Sequence, residues 1–132
     1  DCECVHEIRW AWTVPATELI YAGGHCHAPS CLSLELFRND SGHPMELLCR
    51  QLPLVGQGDI IRDKFDEAGY FTIPPCLWGD PTEGLAPPVL LPEGTQLVSV
   101  KRNRNTNAGH YGEMASWQMR GVCRDPAGCA PY

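Results

Sequence analysis

Two stretches carry the side chains with the greatest capacity for chemistry. Residues 21–31 read Tyr-Ala-Gly-Gly-His-Cys-His-Ala-Pro-Ser-Cys, and residues 109–114 read Gly-His-Tyr-Gly-Glu-Met. In a β-strand side chains alternate between faces, so His25 and His27 project together and Cys26 points the other way. Their β-carbons then stand roughly 7 Å apart, close enough for two imidazoles to share one metal ion. The distant stretch offers His110 and the thioether of Met114. Two imidazoles with a thioether form a soft-to-borderline donor set that suits one copper ion, Cu(I) above all, better than calcium or magnesium. Zinc more commonly takes a third histidine or a carboxylate, which makes His110 or Glu113 the fallback. Cys26 as a thiolate ligand is disfavoured by alternation, which turns it from the histidine face. The plain alternative is a pair of exposed histidines on a strand, with Met114 as core filler.

The elements that must position these groups are short strands. Residues 5–14 alternate, with Ile8, Trp10, Trp12 and Val14 on one face and Glu7, Arg9 and Thr13 on the other, and Pro15 closes the run. Residues 17–22 are β-prone, and Gly23-Gly24 permits a bulge or a close backbone approach just before the histidines. Asn39-Asp40-Ser41-Gly42 is a turn-forming run, which predicts a hairpin of residues 31–38 and 45–51. Residues 52–92 contain Pro53, Pro74-Pro75, Pro81, Pro87-Pro88 and Pro92, which exclude long helices. A short strand at 70–73 leads into that region. Pro92-Glu93-Gly94 turns into the alternating residues 96–102, and 113–122 is the last regular stretch before a tail, 123–132, with Cys123 and Cys129. Short alternating strands between Gly and Pro turns predict a single all-β domain over 1–132, an antiparallel, disulfide-stapled sandwich.

Composition narrows the setting. At 132 residues and 43% hydrophobic, the chain has enough apolar material for one core. A net charge of −6 disfavours nucleic acid as a partner. The one basic cluster, Lys101, Arg102 and Arg104, reads as a strand end entering a loop. No apolar run is long enough to span a membrane. Eight cysteines point to an oxidising, extracellular compartment, and a chain starting at Asp1 fits a processed, secreted mature segment or an excised domain with its signal peptide gone. Cys2-Glu3-Cys4 and the Cys26/Cys31 spacing do not form paired zinc knuckles. Eight cysteines permit on the order of a hundred pairings, and spacing does not choose among them. Asn39-Asp40-Ser41 is a sequon in a turn-like stretch, a candidate for an N-glycan. Trp10 and Trp12, with Trp78 and Trp117, are read as core packing in preference to a sugar-stacking platform. Asp66, Glu67 and Glu83 lack the pairing of a glycosidase.

The order of features resembles the C-terminal copper domain of the peptidylglycine α-hydroxylating and dopamine β-monooxygenase family. The His25-Cys26-His27 strand, Leu48-Cys49-Arg50-Gln51, Gly94-Thr95-Gln96-Leu97 and Glu113-Met114 are similar to that family's phrases, over about residues 20–122. A closer likeness is to plant and algal secreted proteins described as stress-upregulated nodulin-like. Gly-Gly-His-Cys-His-Ala-Pro-x-Cys, Leu-Leu-Cys-Arg-Gln, Pro-Pro-Cys-Leu-Trp-Gly and Gly-His-Tyr-Gly-Glu-Met-Ala-x-Trp-Gln-Met carry it. The copper-domain resemblance implies a sandwich of jelly-roll type, with His25, His27 and Met114 as copper ligands and His110 as a neighbour or alternate. It also implies a bridge tying the termini, Cys2 or Cys4 to Cys123 or Cys129, which leaves Cys26, Cys31, Cys49 and Cys76 to pair among themselves.

The departures bear on function. Copper hydroxylases of this kind use a second domain with a three-histidine copper site, and only His6 and His43 remain here. Ala115 stands where the family has a cysteine. The expectation is therefore a secreted, disulfide-rich module with a bound or vestigial copper site. It would serve as a structural or binding unit with another extracellular protein or copies of itself, for example in a wall, sheath or filament. The alternative is a monooxygenase half-domain needing a separate electron-donating partner. A cupredoxin needs a cysteine thiolate in a different spacing.

Overall fold

The computed structural model describes residues 4–27, 30–55, 71–105 and 114–123. Among the described residues ten strands follow one another: β1 (Val5–Val14), β2 (Thr17–Cys26), β3 (Cys31–Asn39), β4 (Glu46–Gln51), β5 (Leu54–Val55), β6 (Phe71–Thr72), β7 (Cys76–Leu77), β8 (Val89–Leu91), β9 (Thr95–Arg104) and β10 (Ala115–Val122). Helical geometry among the described residues is limited to a 3-10 turn at Pro81–Glu83, where Pro81 presets φ and the Asp80 carboxylate accepts from the Thr82 N–H at 2.8 Å.

The strands form an antiparallel β-sandwich. One sheet has the order β1-β9-β3-β4; the other runs β10-β2-β7, with β8 also paired to β2, and β5 and β6 make a small separate ladder. The β3–β4 hairpin forms where the turn residues predict it, and β9 extends the expected alternating stretch by a residue or two at each end. Leu19, Ala22, Leu36, Cys49, Leu91 and Leu97 make the buried cluster between the layers, with Trp12, Trp117 and Met119 packed against it.

Alternation along β9 sets the layering. Leu97, Ser99 and Lys101 face inward: the Trp117 Nε1–H donates to Ser99 Oγ at 2.9 Å, and Lys101 Nζ donates to the Met114 carbonyl at 2.7 Å. These bonds lay β10 over β9. On the opposite face Arg102 joins Glu35 and Glu7, and Arg50 donates to Glu35 Oε1 at 2.6 Å. Glu35 is buried; burial alone would raise its pKa, but the hydrogen bonds from Arg102 and Arg50 outweigh it and hold the carboxyl below its ordinary value.

One expectation is corrected. Trp10 lies on the face of β1 that the alternation assigns, yet it is 71% exposed and not core, because the hollow it shares with Ala115 and Trp117 of β10 stays open to solvent. The basic cluster does end its strand, since β9 runs to Arg104; within it Lys101 is wholly buried and Arg102 is bound in the ion-pair network.

Candidate functional site

The histidine strand forms because β10 supplies a partner along its whole length. The ladder pairs Glu18 with Val122 at one end and Cys26 with Ala115 at the other. β2 therefore continues past residue 22, through the glycines and His25. The irregularity in this ladder is not at the glycines but at Ile20, which is skipped between Tyr21–Arg120 and Leu19–Gly121. The Ile20 carbonyl instead accepts from the Trp78 N–H at 3.0 Å. Beyond this bulge Ala22, Gly24 and Cys26 face the core, while His25 and His27 face outward.

Gly24 serves the close approach that its lack of a side chain allows. A β-carbon there would collide with the Leu34 side chain and with Gln51 Oε1. The reason lies in the neighbouring ladder. β7 pairs Tyr21 with Leu77 and Ala22 with Cys76, and two more residues of that register would set Gly24 across from Pro74. Pro74 and Pro75 have no N–H to offer a strand partner. The strands part, and the buried Gln51 amide fills the gap. Its Oε1 accepts from the Gly24 N–H and its Nε2 donates to the Pro74 carbonyl, both at 2.6 Å. The two partners fix the amide's orientation, since one can only donate and the other only accept.

Where the strands part, a cleft of about 530 Å³ opens, lined by Gly24, His25, Cys26, His27, Pro53, Phe71 and Ile73. The two imidazoles lie at its edge with ring centroids 5.2 Å apart and planes at 85°. Cys26 is turned inward as alternation requires and is bonded to Cys31, which rules it out as a thiolate ligand. The Cys31 N–H and the Ser30 hydroxyl both donate to the His27 carbonyl, at 3.1 and 3.3 Å, so the chain just after the histidines is tied back on itself.

Met114 is 50% exposed, not core filler, and directly precedes β10. Ser116 pairs with His25 and Ala115 with Cys26, so one further step of the register sets Met114 level with His27. Opposed residues of an antiparallel pair share a face, which assigns Met114 and Ser116 the face of His25 and His27. Lys101 pins the Met114 backbone there through its carbonyl. His110 and Glu113 lie outside the described residues. Among the described residues no group of three or more His, Cys, Asp or Glu side chains gathers. Imidazole and thioether are thus the donor types that the fold brings toward one face, and they fit a soft ion such as Cu(I).

The remaining expected sites fall elsewhere. His6 pairs with Asn103 at one end of the first sheet, while His43 is in the turn after Asn39 at the other end, so the two do not combine. Asn39 closes β3, and its Nδ2 donates to Gln96 Oε1 at 2.5 Å. Cys49 and Cys76 form the second described disulfide, joining β4 to β7 and closing the loop that carries Pro53, Phe71 and Ile73. Cys4, one alternative for a bridge between the termini, is instead a free, exposed thiol. Cys123 is disulfide-bonded. Cys2 and Cys129 lie outside the described residues.

Gln51 and Lys101 were not singled out by sequence as positioning groups. The signal for Gln51 was present in Pro74-Pro75, a strand approach without donors that another group must complete. Compared with protein-family models, curated proteins and solved structures, the chain matches none.

Proposed function

We propose that this chain is a secreted β-sandwich module that binds one copper ion through His25, His27 and Met114 and acts as a binding or structural unit of an extracellular assembly. The observation that carries the reading is the imidazole pair, 5.2 Å apart on the outward face of β2 at the edge of the cleft. Histidines that merely decorate a strand need no disulfide fixing the next turn, no amide clasp beside them and no lysine holding the methionine backbone. All three supports surround this pair. The donor set favours Cu(I), and the two covalent staples suit an oxidising compartment. The sandwich accounts for a binding role without turnover; the monooxygenase reading needs an electron donor from a separate domain.

The test is titration of the full chain with Cu(I) against a chromophoric competitor. One equivalent is expected to bind, with loss of binding in the His25→Ala/His27→Ala double variant and weaker binding in Met114→Ala. Copper uptake unchanged by the double variant would refute the site. Oxygen consumption by the copper-loaded chain with ascorbate would overturn the non-catalytic reading and favour the oxidative one.

A further inference from the structure

We infer that β1 is a self-association edge, through which two copies join antiparallel about a two-fold axis centred on Ile8. β1 pairs with β9 along ten consecutive positions without a register shift, and among the described residues it is the terminal strand of its sheet. Soluble proteins guard such an edge with proline, charged side chains, a bulge or shortness. Between Val5 and Val14 there is no proline, lysine or bulge, and the two charged side chains, Glu7 and Arg9, are of opposite sign and can satisfy each other across a pair of copies. Val5, Ile8 and Trp10 are exposed along it, Trp10 most of all.

Charge selects the occupant and the register. In an antiparallel pair of β1 strands centred on Ile8, Glu7 of each copy faces Arg9 of the other. Glu7 and Arg9 already bond within one chain at 2.5 Å, so the four groups would close a ring of alternating sign. The flanking pairs also fit: Val5 with Ala11 on that face, and Ile8 with Ile8 and His6 with Trp10 on the inner face. Centring on Glu7 or Arg9 opposes like charges, and centring on Trp10 leaves Glu7 opposite Thr13 and Arg9 opposite Ala11. Only the Ile8 register satisfies every charged position. A second copy of this chain is therefore the partner that β1 itself specifies.

This deepens the module reading and rests on it for the expectation of a partner; the metal plays no part. A strictly monomeric protein that still binds copper would overturn the dimer alone. The experiment is sedimentation equilibrium of the full chain from about 5 to about 500 µM, where a micromolar dimer is expected. Ile8→Lys and Arg9→Glu should each shift the chain toward monomer by about tenfold or more in Kd. The Glu7→Arg/Arg9→Glu variant should dimerise with itself but not mix with the wild-type chain. If Ile8→Lys fails to fold, Arg9→Glu decides. A monomer across the range, association indifferent to Arg9→Glu, free mixing of the swapped and wild-type chains, or open-ended growth beyond a dimer would each overturn the proposal.

Discussion

Replacing Gln51 by methionine, of nearly the same length and volume, removes the amide that bridges Gly24 and Pro74 while keeping the space filled. Two backbone groups then lose their partners, the Gly24 N–H and the Pro74 carbonyl. Leaving a fully buried group unsatisfied costs about 1–3 kcal/mol. Both bonds here are only part-buried, so water reaches the freed groups in part and the lower end applies, about 1 kcal/mol each. A loss of about 2 kcal/mol corresponds to a fall in Tm of roughly 5–10 °C for a domain of this size. Urea denaturation followed by tryptophan fluorescence should show a lower midpoint with an unchanged slope, because the surface exposed on unfolding is the same. The effect should also be local: in proton–nitrogen spectra Gly24, His25 and His27 should shift more than residues of β1. A midpoint within about 0.3 kcal/mol of wild type would show that the bridge does not hold the strands at the cleft.

Three further outcomes follow from the same contacts. Removing the Cys49–Cys76 bridge by a double alanine substitution frees a loop of 27 residues and should cost about 3.5 kcal/mol in the chain-entropy model, read as a shift in urea midpoint. Gly24→Ala should destabilise by about 1–3 kcal/mol, since its new methyl meets Leu34 and Gln51 in a packed layer; a neutral result by thermal denaturation would contradict the assigned facing of β2. Glu35→Gln should cost about 2 kcal/mol at pH 7 through its lost bonds to Arg102 and Arg50. Because the folded pKa of Glu35 is depressed, its contribution is complete above the ordinary carboxylate range and is lost as pH falls through the folded value. The gap in midpoint between wild type and variant should therefore narrow below about pH 4, and a gap constant from pH 7 to pH 3 would refute the ion-pair assignment.

Local signals made most of the scaffold legible. The alternation of residues 5–14, the Asn39–Gly42 turn and the Pro92–Gly94 turn gave β1, the β3–β4 hairpin and the start of β9. Alternation also placed His25 and His27 on one face and Cys26 on the other, which the disulfide to Cys31 bears out. Alternation reports a face, however, not what covers it. Trp10 shares a face with the packed Trp12 yet remains exposed. Nor does a local pattern reveal bonds between distant segments. Gln51 meets Gly24 from 27 residues away, and Lys101 reaches Met114 from the opposite sheet, so neither role follows from spacing. The bulge at Ile20 was likewise hidden, because it arises from how β10 accommodates β2.

The most direct measurement of the metal reading is X-ray absorption at the copper edge of the full chain loaded with one equivalent of Cu(I). The predicted first shell contains imidazole nitrogens from His25 and His27 and one sulfur, and the sulfur disappears in Met114→Ala while the nitrogens remain. A shell of nitrogen and oxygen alone, or one that keeps its sulfur in Met114→Ala, would contradict the account.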